Sequence, residues 1–218
     1  MKKDYYILGA GNQARETYQI YIDNGLSKQV RGFIVSDGVT QNKLLGKKIF
    51  GVELLDKLSK KTRLINAVGN SFKRMEWLNK LRKYDFVYDT LVHKSVLKGR
   101  NVEIGEGATV CAGVVLTCDI KIGKHVLINI GSTVSHDVVL GDLVTLSPGV
   151  SLGGRVEVGQ GTFIGIGATV IQNVKIGKNS FIGGGAAVVD DIPDNTLAYG
   201  VPAKQIRKIS QKDWLDLI

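Results

Sequence analysis

Every sixth residue from Ile104 to Val188 is aliphatic, without a slip. The residues four places further on, from Ala108 to Ile192, are all small or β-branched. Few folds satisfy such a pattern. An amphipathic helix repeats its apolar residues at intervals of three and four, and a half-buried strand alternates. A period of six arises when each hexapeptide makes one flat side and one corner, and three sides close a triangular coil of about 18 residues. The aliphatic residue fills the interior and the small one fits near the corner. Glycine follows the aliphatic residue at Gly123, Gly141, Gly159, Gly165, Gly177 and Gly183, where it is expected to supply permissive corner geometry. The pattern predicts a parallel β-helix of about five coils. A β-sandwich would instead show period-two alternation broken by irregular turns.

The preceding residues read differently. Tyr5, Tyr6, Ile7 and Leu8 form a short apolar run before a glycine-rich turn. A helix is predicted over residues 15–24, a strand over 31–35, a helix over 52–60 and a strand over 64–68. Ser71 is placed as the cap of a helix running to residue 83, followed by a fourth strand over 86–91. Alternating β and α elements imply a small parallel sheet of Rossmann-like type. The expected division is residues 1–95 and 96–218, with 94–100 as the connection. A short terminal helix over 210–218 would bury Trp214 and Leu217.

Composition narrows the partners. The 218-residue chain carries a net charge of +9. Its Lys and Arg residues are scattered, with no basic helix interleaved with aromatics, so nucleic acid is not the expected partner. A polyanionic small ligand such as CoA or a sugar nucleotide fits the charge. No apolar stretch approaches the length of a membrane span. Cys111 and Cys118 form no metal or redox motif and are expected to be reduced thiols in a cytoplasmic protein.

Two regions could carry chemistry. Gly9-x-Gly11-x-x-Ala14 follows a strand and opens a helix, so backbone N–H groups there can meet a phosphate. A full NAD site is not expected, because no acidic residue sits at the second strand's end; Val35 and Ser36 occupy it, with Asp37 just beyond. Gly69 and Asn70 end the third strand on the same edge, so the two loops would frame a crevice. His136 lies between inward-facing Val134 and Val138 and should project outward, beside Asp137. A histidine poised by an acid suits general-base work at neutral pH. Zinc is disfavoured: His93 precedes the repeat, and His125 and His136 fall on different sides and levels of the coil. His125 is expected to be an exposed loop residue.

Taken together, the order of motifs resembles the hexapeptide acyltransferases of the sialic acid O-acetyltransferase and bacillosamine-type amino-sugar N-acetyltransferase family. The marks are residues 7–11, residues 68–70 followed by Arg74, residues 91–95, residues 129–137 (Asn-Ile-Gly-Ser-Thr-Val-Ser-His-Asp) and residues 200–204 (Gly-Val-Pro-Ala-Lys). The resemblance implies a left-handed β-helix, a homotrimer with its sites between adjacent β-helices, and acetyl-CoA as acyl donor. It implies that His136 is the general base, that Asp137 orients it, and that Asn129 lines the same cleft. CoA contacts would come from Gly154 and from Gly200, Pro202 and Lys204. The nucleotide of a sugar acceptor would meet Gly9, Ala10, Gly11, Asn12, Gln13, Gly69 and Asn70, with Asp37 a partial match to the acidic position of relatives. Thr145 stands where relatives often have a second histidine. The activity implied is N-acetylation of a nucleotide-linked amino sugar (UDP- or dTDP-4-amino sugar), with O-acetylation of sialic acid or a polysaccharide sugar as the alternative. A non-catalytic scaffold would lack CoA release with any acceptor.

Overall fold

The computed structural model describes residues 4–36, 38, 42–210, 212–213 and 217. Asp37 and Trp214 therefore lie outside the described residues. The N-terminal unit contains β1 (Tyr5–Leu8), α1 (Asn12–Asp23), β2 (Val30–Val35), β3 (Lys43–Leu44), β4 (Lys47–Gly51), β5 (Arg63–Asn66), α2 (Ser71–Leu81) and β6 (Val87–Tyr88). The sheet order is β3-β4-β2-β1-β5-β6, parallel except for the edge hairpin β3–β4. That hairpin has no counterpart in the sequence reading. The chain leaves β1 for β2 on one side and later returns to β5 on the other, so the sheet reverses direction around β1. Ligands in such sheets bind beyond the strand C-termini at this point.

Several local expectations change. The segment after β4 makes only a 3₁₀ turn, Val52–Lys57, before Leu58 returns to extended backbone. The cap of α2 is Asn70, not Ser71: Asn70 has extended backbone and its Oδ1 accepts the Lys73 N–H at 3.0 Å. The predicted fourth strand splits. Residues 87–88 pair with β5, whereas Leu91–Val92 pair with Thr109–Val110 as the first strand of the β-helix. Leu97–Lys98, expected in a connection, is already the first strand of the second face.

The repeat builds three parallel sheets. The first face runs from Leu91–Val92 up to Phe181–Ile182, the second from Leu97–Lys98 to Ala187–Val188, and the third from Val102–Ile104 to Lys175–Ile176. Strands pair in steps of 18 residues, as in Thr109↔Leu127 and Thr133↔Ser151. Every inward position from Val110 to Val188 is buried, and the second set from Ala108 to Ile192 is buried with it. Where that set is polar, the hydroxyl is paired: Ser132, Thr162 and Ser180 each donate to a backbone carbonyl, which removes the cost of burying them.

The corners work differently from the expectation. Left-handed backbone recurs at every sixth residue from Asn101 to Gly185, including Asp119, His125, Asp137, Leu143 and Arg155. The glycines at 123, 141, 159, 165, 177 and 183 do not have positive φ. They are required by closeness: a Cβ on Gly141 would lie 2.7 Å from Gln160 N, and one on Gly123 would lie 2.6 Å from Asp142 N. Coil stacked on coil, not turn freedom, excludes a side chain there.

Candidate active site

The N-terminal unit covers the first face. Tyr5, Ile7, Ala14, Tyr18 and Tyr21 share a core with Leu91, Cys111 and Leu127. Asn24 donates to Val92 O and accepts from Lys94 N, both at 2.9 Å. His93 is buried between Asp23 and Ser95, so it locks α1 to the first coil. Arg74 forms the second tie. It is 2% exposed, and its guanidinium donates to carbonyls of residues 68 and 69 on one side and to Leu143 O and Thr145 Oγ1 on the other. Burial pulls its pKa down to about 9, which still leaves it a cation at neutral pH. Thr145 is thus engaged by Arg74.

At the reversal point of the sheet, the two predicted loops meet. Gly9 has φ +103, and its N–H donates to Ile34 O at 2.8 Å. Gly11 is the N-cap of α1 and its carbonyl accepts from the amides of Ala14 and Arg15. Ala10 is half-buried and Asn12 is exposed at the start of α1. A Cβ on Gly69 would lie 3.8 Å from Gln13 Cβ and Oε1. Gln13 Nε2 is buried with no hydrogen-bond partner among the described residues, a donor that a bound acceptor could satisfy. Asn70 is close by, with Oδ1 committed to capping α2.

His136 sits at the second corner, between the second and third faces, and its side chain is 48% exposed. Its Nδ1 lies 2.8 Å from Asp137 Oδ2. Asp137 occupies the left-handed corner position (φ 61), which a short polar side chain tolerates. Gly154 stands one coil above. A Cβ there would come within 2.5 Å of both Cε1 and Nε2 of His136, so the absence of a side chain at Gly154 makes room for the ring. With Nδ1 on the carboxylate, Nε2 is the ring atom left beside the bare backbone of Gly154. Cys118 is one coil below. Its hydrogen bond to Asp119 raises its thiol pKa, and burial pushes Cys111 up to about 12, so neither thiol is activated.

Within one chain Asn129 and His136 stand at different corners of the coil. Asn129 lies at the other edge of the second face, with Oδ1 accepting the Ile130 N–H at 2.8 Å. Gly200, Pro202 and Lys204 lie on the terminal hairpin, Thr196–Gly200 with Ala203–Lys208, which extends the first face at the top. Within one chain, therefore, the unit that carries residues 9–13 and 69–70 lies over the first face, and the body of the β-helix separates it from His136 at the opposite corner.

His125 is not the exposed loop residue expected. Tyr88 packs edge-on against it at 4.8 Å, and it fills the space above Gly107. Desolvation, aided by the Arg74 charge and opposed by Glu106, lowers its pKa to about 4. Because the folded pKa lies below the unfolded value of about 6.5, the unfolded chain binds more protons between these values. Stability is then lost as pH falls from about 6.5 to 4, by on the order of 1–2 kcal/mol after screening of this partly exposed ring. His125→Gln should flatten that part of a plot of Tm against pH; an unchanged slope would assign the loss to other groups. Among the described residues, no three His, Cys, Asp or Glu side chains gather to hold a metal.

Residues 119–154 and 155–189 match the bacterial transferase hexapeptide (six repeats) family. No curated protein sequence matches significantly. Solved structures do. A histidine-to-asparagine variant of perosamine N-acetyltransferase from Caulobacter crescentus, in complex with CoA and GDP-perosamine, is 33% identical, with TM-score 0.88 over 95% of this chain and 99% of that one. The acetyltransferase domain of PglB from Neisseria gonorrhoeae in complex with acetyl coenzyme A is 28% identical, with TM-score 0.82 over 94% and 100%. WeeI from Acinetobacter baumannii is 29% identical, with TM-score 0.87 over 94% and 100%. The likeness spans both the sheet unit and the left-handed β-helix. The chain is accordingly an acyltransferase of the hexapeptide-repeat family, in the group that holds the nucleotide-amino-sugar N-acetyltransferases.

Proposed function

We propose that this enzyme transfers an acetyl group from acetyl-CoA to the amino group of a nucleotide-linked amino sugar, for surface glycan synthesis. The observation that carries the reading is the full-length likeness, in both units, to an N-acetyltransferase solved with CoA and GDP-perosamine. The residues present fit both substrates. A turn of backbone amides and the Gly69 loop suit the nucleotide, and the side-chain-free backbone at Gly153 and Gly154 leaves room for a thioester beside His136. Lys204 on the terminal hairpin offers a cation to the donor's phosphates, whereas Arg207 is paired with Asp213 and Lys208 donates to Asp194 O.

In this reading, bound acetyl-CoA supplies an activated acyl group. The acceptor amine attacks as the neutral base, and the proton it sheds passes to His136 Nε2. Asp137 holds the tautomer that leaves Nε2 unprotonated and stabilises the imidazolium that forms. His136 then returns the proton to the departing thiolate, so no net charge is left on the protein.

The working unit is a homotrimer in this proposal. The crevice and His136 face opposite ways on one chain, so one subunit's acceptor must meet a neighbour's histidine. The outward side chains of the second face are uncharged: Leu97, Val115, Thr133, Ser151, Thr169 and Ala187. The third face carries Glu103, Lys121, Glu157 and Lys175. Ile130, Ile166, Ile171 and Val189 are exposed along the edges of the second face. A head-to-tail contact of this face with a neighbouring chain, closed around a three-fold axis, would cover an apolar surface and place His136 at the seam. We place the enzyme in the cytoplasm with its nucleotide substrates, in keeping with two free thiols.

The test is CoA release from acetyl-CoA against UDP-, dTDP- and GDP-linked 3-amino and 4-amino sugars, with free and CMP-linked sialic acid alongside. Release with an amino sugar alone is the expected result. Release with a hydroxyl acceptor alone would replace the N-acetyltransferase reading by O-acetylation. Sedimentation equilibrium of the same sample should give three chains per particle, and a monomer that turns over would overturn the shared site.

A further inference from the structure

Arg74 heads the largest fully buried side chains, yet its partners are all neutral. Nη1 donates to Val68 O at 2.8 Å and to Gly69 O at 3.1 Å. Nη2 donates to Leu143 O at 2.9 Å, to Thr145 Oγ1 at 2.8 Å and, at 3.4 Å, to Val144 O. No carboxylate pairs with it among the described residues. Nε has no partner. A buried cation without a counter-charge is costly, and a Met side chain would fill much of the same volume without that cost. What only the planar fork provides is geometry: donors fixed in one plane that hold two separate backbones at once.

The two backbones are informative. On one side are the carbonyls of residues 68 and 69, the loop that closes the crevice opposite residues 9–13. On the other is the corner at Leu143, a left-handed position (φ 64) unusual for a branched side chain. A trans peptide points its C=O and N–H in opposite directions. Holding Val68 O on the guanidinium therefore turns the Gly69 N–H away from Arg74.

We propose that Arg74 is a positioning residue for the acceptor: it sets the Gly69 loop, and with it the nucleotide crevice, at a fixed place on the β-helix. Thr145 is its partner in that role. The inference rests on reading the crevice as the nucleotide-sugar subsite. Because the crevice serves a neighbouring subunit's His136, a loop free to shift on its own β-helix would misplace the amine at the seam, although it touches neither reacting atom.

The experiment compares wild type, Arg74→Met, Thr145→Val and Thr145→Ser. Calorimetry gives Kd for UDP, dTDP and GDP and, separately, for acetyl-CoA; kinetics give KM for each substrate. Arg74→Met is expected to weaken nucleotide binding and raise acceptor KM by roughly ten- to hundred-fold, the effect of losing charge-assisted hydrogen bonds. Acetyl-CoA affinity should stay within about twofold. Thr145→Val should give a smaller shift of the same kind, and Thr145→Ser, which keeps the hydroxyl, should restore wild-type values. Should the Met variant fail to fold, the two Thr145 variants decide. Unchanged nucleotide affinity in the variants, or parallel loss of both substrates, would overturn the positioning role. A wild type that binds acetyl-CoA but none of the three nucleotides would instead sink the crevice reading beneath it.

Discussion

His136→Ala lowers turnover by about 10²–10⁴-fold in our expectation, the range for removing a positioned general base. The loss should appear in kcat, with acetyl-CoA affinity nearly kept, because the Gly154 backbone proposed to lie beside the donor is unchanged. The fold should survive, since the ring is half exposed and lies at a corner beneath Gly154. Asp137→Asn sharpens the test. Asn tolerates left-handed backbone as well as Asp does, so the corner is preserved and only the charge on Nδ1 is lost. A drop of about tenfold or more would fit an orienting carboxylate. Steady-state kinetics on folded protein read both variants, and wild-type turnover in His136→Ala would remove this residue from the chemistry.

The second large effect concerns stability. Gly141→Ala should cost about 2–4 kcal/mol, as in overpacking a rigid site, and lower Tm by roughly 5–15 °C for a domain of this size. The new methyl would lie 2.7 Å from Gln160 N, 3.0 Å from its Cα and 3.2 Å from Gly159 C, all backbone of the next coil. Gly149→Ala is the contrast. Gly149 has φ +70 and nothing within 4 Å of a built Cβ, so the cost is left-handed strain alone, about 1 kcal/mol. Calorimetric melting of the two variants separates the causes. Equal losses would return the explanation to backbone freedom.

The β-helix was legible because one side chain in six must fill the same interior, so the chain announces the coil directly. Its lower boundary was not. Val92 and Ile104 keep the sixfold register, but Lys98 between them interrupts it, because the first coil is open to solvent on its underside and Lys98 is exposed there. The left-handed corner column was also hidden. Gly, Asn or Asp stands at twelve of its fifteen positions from Asn101 to Gly185, the types that tolerate left-handed backbone, but His125, Leu143 and Arg155 interrupt the run and the glycines after the aliphatic residues draw the reading to the wrong column. The β3–β4 hairpin escaped notice since it is short, lysine-rich and buries fully only Ile49.

The site divided in the same way. His136 and Asp137 are neighbours in the chain, so their pairing could be read from the sequence. Gly154 becomes meaningful only through the 18-residue step that puts it over the imidazole. The Arg74–Thr145 bond spans 71 positions and two units, and no local pattern contains it. His125 looked like a surface corner residue because the side chain that covers it, Tyr88, belongs to the other unit.

The 18-residue register also turns sequence number into altitude. Each added coil raises the chain by one strand spacing, about 4.8 Å, while leaving every column of side chains vertically aligned. Removing one whole coil between Gly154 and the terminal hairpin would lower that hairpin by one storey and keep the histidine corner intact. The same deletion made one residue too short would rotate everything above it out of its column. Lineages of such proteins can therefore change the distance between their histidine corner and their roof only in discrete steps, as a building changes height by floors.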